Sequence, residues 1–388
     1  MSIWHADRLS KLPPYLFVEI DRKKALAAAS GRDMIDLGVG DADRPTPDFI
    51  VERVVSAIRQ PENHRYSASA GRSAFREAIA VYFKRRFTVD LDPATEIVGL
   101  IGSKEGIGHL PTAVVNPGEV VLVPAPGYPV YEAGTVFAGG VPHTMPLREE
   151  HNWLPVLEDI PAEALRRARL MYLNYPNNPT ATLADRAFFE KVVAFARKHD
   201  ILVAQDAAYC DLYFADPPPS ILEVDGAKDV CIEFHSLSKT FNMTGWRVGF
   251  AVGNPRALAA LLKVKSNLDS GIFGVVQEAA GEALARFDHA QVRATLDVYR
   301  QRRDILLGGL REAGWQVPTP GATFFVWARC PGGMDSVATA GRILDGANVV
   351  VIPGAGFGEW GEGYVRFALT VEADRLHEAA ARIARLSW

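Results

Sequence analysis

The chain has 388 residues, of which 48% are hydrophobic and 23% charged, with a formal net charge of −4. That length suits two lobes of an enzyme subunit better than one small core, and the slight acidity removes any electrostatic case for nucleic acid or an anionic membrane. Cys210, Cys231 and Cys330 are scattered with no CxxC pair, so neither a disulfide framework nor a metal site is expected, and a reducing, cytoplasmic setting is.

Met1 to Leu12 carries His5, Asp7, Arg8 and Lys11 without an apolar core, so no secretory signal is expected. No later run approaches the length of a membrane span. Glu96-Ile97-Val98-Gly99-Leu100 reads as a strand. It runs into Ile101-Gly102-Ser103-Lys104-Glu105-Gly106, where glycines let backbone approach a phosphate and a helix start would aim unpaired N–H groups at it. A plain strand-to-helix turn reads the same way. Pro111 is expected to kink that helix. The buried strand Glu119–Val123 leads to Pro124-Ala125-Pro126-Gly127-Tyr128-Pro129, whose tyrosine either anchors a turn or lies flat on a planar ring.

Arg169–Leu173 is the next strand. Asn174-Tyr175-Pro176-Asn177-Asn178-Pro179-Thr180 follows as a rigid turn, in which Asn178 can also act as an amide donor. From Asp185 to His199, Phe188, Phe189, Val192, Val193 and Phe195 fall at mostly helical spacing. Asp185 at the start and Lys198 and His199 at the end suit the helix dipole. The strand Ile201–Ala204 then delivers Asp206. An aspartate there is costly unless it meets donors or a cation. A helix N-cap and a protonated ring nitrogen both satisfy that need. Tyr209, three residues on, can donate to an oxygen of the same ring.

Val230-Cys231-Ile232-Glu233-Phe234 ends in a run holding Ser236, Ser238, Lys239 and, eight positions further, Arg247. A lysine amine condenses with an aldehyde, while hydroxyls and an arginine grip a phosphate. Pyridoxal phosphate needs both services, and its ring supplies an electron sink. The alternative is a solvated Ser/Lys turn. Continuous apolar strands separated by helices imply a mostly parallel sheet covered on both faces, with ligands beyond the carboxyl ends of its strands.

The C-terminal part differs. A long polar-faced helix is expected over Ala279–Leu310, then an apolar stretch Thr323–Trp327. Val349–Ile352 and Tyr364–Ala368 follow as strands of a second, smaller sheet. Arg366, amid apolar strand residues, needs an anion: an internal carboxylate, or the α-carboxylate of an amino acid, which suits its fork geometry. Pro353–Gly358 is glycine-rich but lacks GxGxxG and a βαβ setting, so it reads as a loop. The expected class is α/β: a large domain with a mostly parallel sheet plus a smaller α+β domain. The break falls inside the long helix, giving a large domain at 46–285 and a small one at 286–388.

In this order the segments resemble the pyridoxal-phosphate-dependent aminotransferases of fold type I, class I/II, from about Tyr15 to Arg366. The YPNNPT and SLSKTFNMTGWRVGFAVGN blocks carry most of the resemblance. It implies that residues 1–45 form an N-terminal arm and part of the small domain. It further implies that Lys239 bonds the cofactor aldehyde, Asp206 pairs the ring nitrogen, Tyr209 and Asn178 hold the ring oxygen, and Tyr128 stacks on the ring. Ser103, Lys104, Ser236, Ser238 and Arg247 would surround the phosphate, with Tyr66 reaching it from the partner of a homodimer whose active sites are shared. Arg366 would bind the substrate α-carboxylate, and Gly40 would line its pocket.

Within the family, Leu12-Pro13-Pro14-Tyr15-Leu16-Phe17 and Gly102-Ser103-Lys104-Glu105-Gly106 are most similar to the LL-diaminopimelate aminotransferase group. There the residues matching Tyr15 and Lys104 also touch substrate. Asn267 and Ser270 would read the distal group from the partner chain. Ala181 and Ala42 stand where the family has a glycine and a proline, and Ser69 where plant-type members have a glutamate. The activity implied is ping-pong transfer of an amino group from an L-amino acid to a 2-oxo acid, with 2-oxoglutarate as acceptor. The alternatives are an alanine, aspartate or aromatic aminotransferase, a β-lyase or decarboxylase on the same cofactor, and a ligand-binding protein that kept the fold.

Overall fold

A computed structural model describes Trp4, residues 6–12 and residues 31–388 of the chain. Its strands, in chain order, are β1 (Ile35–Asp36), β2 (Ile97–Leu100), β3 (Val120–Ala125), β4 (Val141–Pro146), β5 (Ala168–Asn174), β6 (Leu202–Asp206), β7 (Cys231–Ser236), β8 (Gly249–Gly253), β9 (Phe325–Arg329), β10 (Val349–Val350), β11 (Ile352–Pro353) and β12 (Tyr364–Ala368). Seven form one sheet in the order β2-β8-β7-β6-β5-β3-β4. Only β8 runs against its neighbours β2 and β7; the remaining pairs are parallel.

The inner strands are largely apolar because both faces are covered. Along β5, Leu170 and Tyr172 pack into a core with Leu100, Ile107 and Phe234. Met171 and Leu173 pack on the opposite face with Phe75, Phe83 and Phe189. The helix Arg186–His199 begins where the sequence indicates, with Asp185 accepting from the Phe188 N–H at 2.7 Å. It buries Phe188, Phe189, Val192 and Val193, although Phe195 is only half-buried.

Two local expectations are corrected. The stretch expected as one helix over Ala279–Leu310 is two, Gly274–Ala285 and Ala290–Glu312. The first packs flat through Ala279, Ala280 and Ala283, and the His289 ring accepts from the Gln291 N–H to start the second. Val349–Ile352 is not one strand. β10 pairs with β1, whereas β11 pairs with β12; a short apolar run carries no mark of a change of partner. Pro111 lies, as the sequence indicates, inside the helix Ser103–Val114. A proline there cannot donate back to the Ile107 carbonyl. The Tyr172 hydroxyl takes that carbonyl instead, at 2.7 Å.

The smaller part holds the antiparallel sheet β11-β12-β9 and the pair β1-β10. Its core includes Tyr299, Leu306, Phe324, Val349, Phe367 and Ile383. One buried cation joins two turns elsewhere. Lys265, 0% exposed, donates to Glu105 at 3.1 Å and to Asp269 at 2.9 Å. Glu105 also accepts from the Ile101 N–H, and Asp269 from the Gly271 N–H. Such a charge is tolerated only because it is fully paired.

Candidate active site

Parallel register brings three strand ends level. Asn174 of β5 lies opposite Asp206 of β6, and Asp206 opposite Phe234 of β7. The Asn174 side-chain amide donates to the Asp206 carbonyl at 2.8 Å, which locks the two ends together. The Ser236 hydroxyl ends β7 and accepts from the Ser238 N–H, starting the short helix Leu237–Thr240 that carries Lys239.

Lys239 Nζ donates to the Gly40 carbonyl at 3.0 Å and sits 5.6 Å from the centre of the Phe324 ring. Burial pulls the amine down to about 8, helped by Arg366 and Arg247 and opposed by Asp41 and Asp206. A buried ammonium loses hydration, so its neutral form is favoured. Asp206 is 5% exposed. Its Oδ2 accepts from the Tyr131 hydroxyl at 2.8 Å and its Oδ1 from the Ala208 N–H at 3.2 Å. Burial pushes the carboxyl up to about 6 against those two donors and the nearby His235 and Lys239.

Arg366 lies in β12 and is 2% exposed. It donates to Asn178 Oδ1 at 2.8 Å and to the Gly38 carbonyl at 2.7 Å, with the rings of Phe325 and Phe357 at 4.1 and 4.8 Å. Burial alone brings it down to about 10, so it stays charged near neutrality. No carboxylate among the described residues pairs with it, and its Nε has no partner. The internal salt bridge left open by the sequence is therefore not found among the described residues. A buried, unpaired guanidinium calls for an anion from outside.

A third cluster forms where β2 meets the helix Ser103–Val114. Gly102 has φ +78°, and a Cβ there would overlap the Arg247 guanidinium. A Cβ on Gly249 would fall 2.7 Å from the Ser103 nitrogen. Both positions demand glycine. The result is a helix N-terminus with Ser103 buried, Ser238 buried and Arg247 beside it, an arrangement suited to a phosphate. Lys104 is exposed, its Nζ 5.8 Å from the centre of the Tyr128 ring. Tyr128 meets Tyr131 edge-on at 5.9 Å. Tyr209 is buried against Phe324 and Phe325, each at 5.6 Å.

Most sequence-derived candidates thus converge on the carboxyl ends of β5 to β7. Two do not. Tyr66 is 91% exposed, and Tyr15 lies outside the described residues. Tyr131 was missed by the sequence reading. Its only signal was indirect: a buried aspartate needs donors, and a tyrosine three residues beyond Tyr128 can supply one.

Residues 32–383 match the family model described as aminotransferase class I and II. The chain belongs to this family. This aminotransferase is 52% identical, over 382 residues and 98% of each chain, to the LL-diaminopimelate aminotransferase of Aquifex aeolicus. Its fold is similar to that of substrate-bound BacF from Bacillus subtilis, with a TM-score of 0.96, 38% identity and coverage of 100% of this chain and 99% of that one. A single mutant of Thermus thermophilus aspartate aminotransferase gives 0.92 at 29% identity, covering 99% and 100%. The fold is accordingly the α/β fold type I of pyridoxal-phosphate enzymes, the chain is a transaminase, and pyridoxal phosphate is its cofactor. The residues present fit that group: an amine biased toward its neutral form, an aspartate at a strand end, and a helix N-terminus that only glycine leaves open to Arg247.

Proposed function

We propose that this aminotransferase moves an amino group from LL-diaminopimelate to a 2-oxo acid, 2-oxoglutarate being the acceptor, in two half-reactions on one site. Transfer itself rests on one observation: Lys239, its amine down at about 8, lies within electrostatic reach of an Arg366 that no carboxylate among the described residues neutralises. The choice of donor is supported by full-length relatives that bear that name at 52% identity and by Lys104, a cation at the rim that suits the distal carboxylate of a long diacid.

The bound cofactor supplies an aldehyde for the substrate nitrogen and a ring that takes up the electrons left when the α-proton departs. Lys239 Nζ takes that proton from the substrate Cα in one half-reaction and returns one to the corresponding carbon of the incoming oxo acid in the other. Positioned general-base work of this kind is worth about 10²–10⁴-fold. Arg366 grips the α-carboxylate by its fork, held by Asn178 and the Gly38 carbonyl. Asp206 would accept from the ring nitrogen, Tyr209 and Asn178 would donate to the ring oxygen, and Tyr128 would cover the ring face. Ser103, Lys104, Ser236, Ser238 and Arg247 would hold the phosphate, and Gly40 and, by resemblance, Tyr15 would line the substrate pocket.

The site is completed by a second copy. Tyr66, Leu268 and Phe273 are 91%, 62% and 47% exposed, on two segments joined by Gln277 Nε2 donating to Ser67 Oγ at 3.0 Å. An exposed aromatic and apolar patch of this kind suits an interface. In a homodimer Tyr66 reaches the partner's phosphate, and Asn267 and Ser270 its substrate. The proposed domain boundaries are 1–45, 46–285 and 286–388. A cytoplasmic location is supported by three buried free cysteines. Among the described residues no helix is long and apolar enough to cross a membrane.

A donor screen tests the proposal. Purified enzyme with 2-oxoglutarate is offered LL-diaminopimelate, alanine, aspartate and aromatic amino acids. Glutamate is expected from LL-diaminopimelate above all; equal release from alanine or aspartate would remove the assigned donor while leaving the transaminase.

A further inference from the structure

Asp206 is held by a group to which nothing above gives a task. Tyr131 is 0% exposed, on the first turn of the helix Val130–Phe137, and its hydroxyl donates to Asp206 Oδ2 at 2.8 Å. The ring stacks on Tyr172 at 4.8 Å and 21°. Tyr172 is fixed in turn by its hydroxyl, which donates to the Ile107 carbonyl that Pro111 leaves without a helical donor. Thr135 Oγ1 closes on the Tyr131 carbonyl at 2.7 Å. An interruption in one helix is thereby converted, through two stacked phenols, into a fixed position for one carboxylate oxygen.

We propose that Tyr131 is a positioning residue of this aminotransferase, its hydroxyl holding Asp206 as an aligned acceptor for the ring N–H of the cofactor. The proposal rests on the reading that Asp206 meets the ring nitrogen. A phenol has one proton to give, so it favours the carboxylate over the acid. The Asp206 Oδ1 is taken by the Ala208 N–H, which leaves unused lone pairs on both oxygens for a third donor. The groups facing Asp206 are Tyr131 from its helix, Tyr172 from β5, Tyr209 from the following loop, His235 from β7 and Lys239 beyond it. Of these, Tyr131 is the only side chain given a hydrogen bond to the carboxylate. The Tyr131→Phe change removes that bond and keeps the stacked ring.

The test uses Tyr131→Phe and Asp206→Asn beside the wild type. In cofactor-free protein the Asp206 carboxyl is titrated by carbon-13 NMR. In Tyr131→Phe its midpoint is expected to rise by about one pH unit, with roughly tenfold weaker pyridoxal phosphate binding. The 15N shift of labelled cofactor should report a less protonated ring nitrogen, and kcat should fall while KM for the donor holds. An unchanged midpoint together with unchanged cofactor affinity would overturn the proposal and leave Tyr131 a packing residue. If Asp206→Asn binds the cofactor as tightly as wild type with the same 15N shift, the underlying reading of Asp206 fails instead. Should Tyr131→Phe not fold, fluorotyrosine placed at position 131, a stronger donor, is expected to move the midpoint down; no movement overturns the proposal equally.

Discussion

Two side chains of opposite charge are both held against their usual ionisation, and each shift has a testable consequence. Lys239 titrates at about 8 in the folded protein, below its ordinary 10.5. Its reactive neutral fraction therefore grows as pH rises toward 8 and levels off above. Borohydride trapping of pyridoxal phosphate on the Lys239 peptide should follow that curve, and Lys239→Ala should abolish both the label and transamination. Asp206 has its folded value raised from 3.8 to about 6. The folded state thus binds the extra proton, and the stability this contributes is full below 3.8 and lost as pH rises through about 6. At pH 7 the ionised carboxyl costs the cofactor-free fold on the order of 3 kcal/mol. Asp206→Asn is expected to raise the Tm of cofactor-free protein by several degrees while weakening cofactor binding; a lower Tm would refute this. At this scale Asp206 was legible because a charge behind an apolar strand demands an explanation. Tyr131 was not, since a tyrosine after a proline turn is ordinary until its partner is known.

Elements that answer to one strong rule were readable in advance. β3, β5, β6 and β7 are continuous apolar runs, and the helix Arg186–His199 has an acidic cap and a buried stripe. Elements decided by a distant partner were not. Nothing in the run from Val349 to Pro353 tells the chain to give two residues to β1 and two to β12, and Ala-rich packing hid the end of Gly274–Ala285. The turn before the helix Ser103–Val114 lies between these cases. Its glycine was visible, but the guanidinium that makes it obligatory sits more than a hundred residues away. Gly102→Ala combines a positive φ with that overlap and should displace Arg247. Cofactor affinity is expected to fall at least tenfold, read by fluorescence titration of the cofactor-free protein, with the donor's KM little changed. Unaltered affinity would show that Arg247 does not depend on this opening.

For the molecule as a whole, the sequence conveyed the order of chemical segments, and the sheet turned that order into one site at the ends of β5 to β7. Tyr66 was legible only through family resemblance, because an exposed tyrosine in a single chain has nothing local to explain it. If sites are shared between copies, mixing inactive Lys239→Ala with a Tyr66 variant of low activity should restore activity through hybrid dimers that each carry one intact site. No recovery after subunit exchange would argue for self-contained subunits.

The ammonium of Lys265 stands between those two concerns. One of its carboxylates braces the turn that opens toward the phosphate, and the other braces the turn beside Phe273 and the Ala68 backbone. In the proposed homodimer, grip on the coenzyme and grip on the neighbouring copy would therefore be anchored to a single nail, so loosening either one would loosen the wall on which the other hangs.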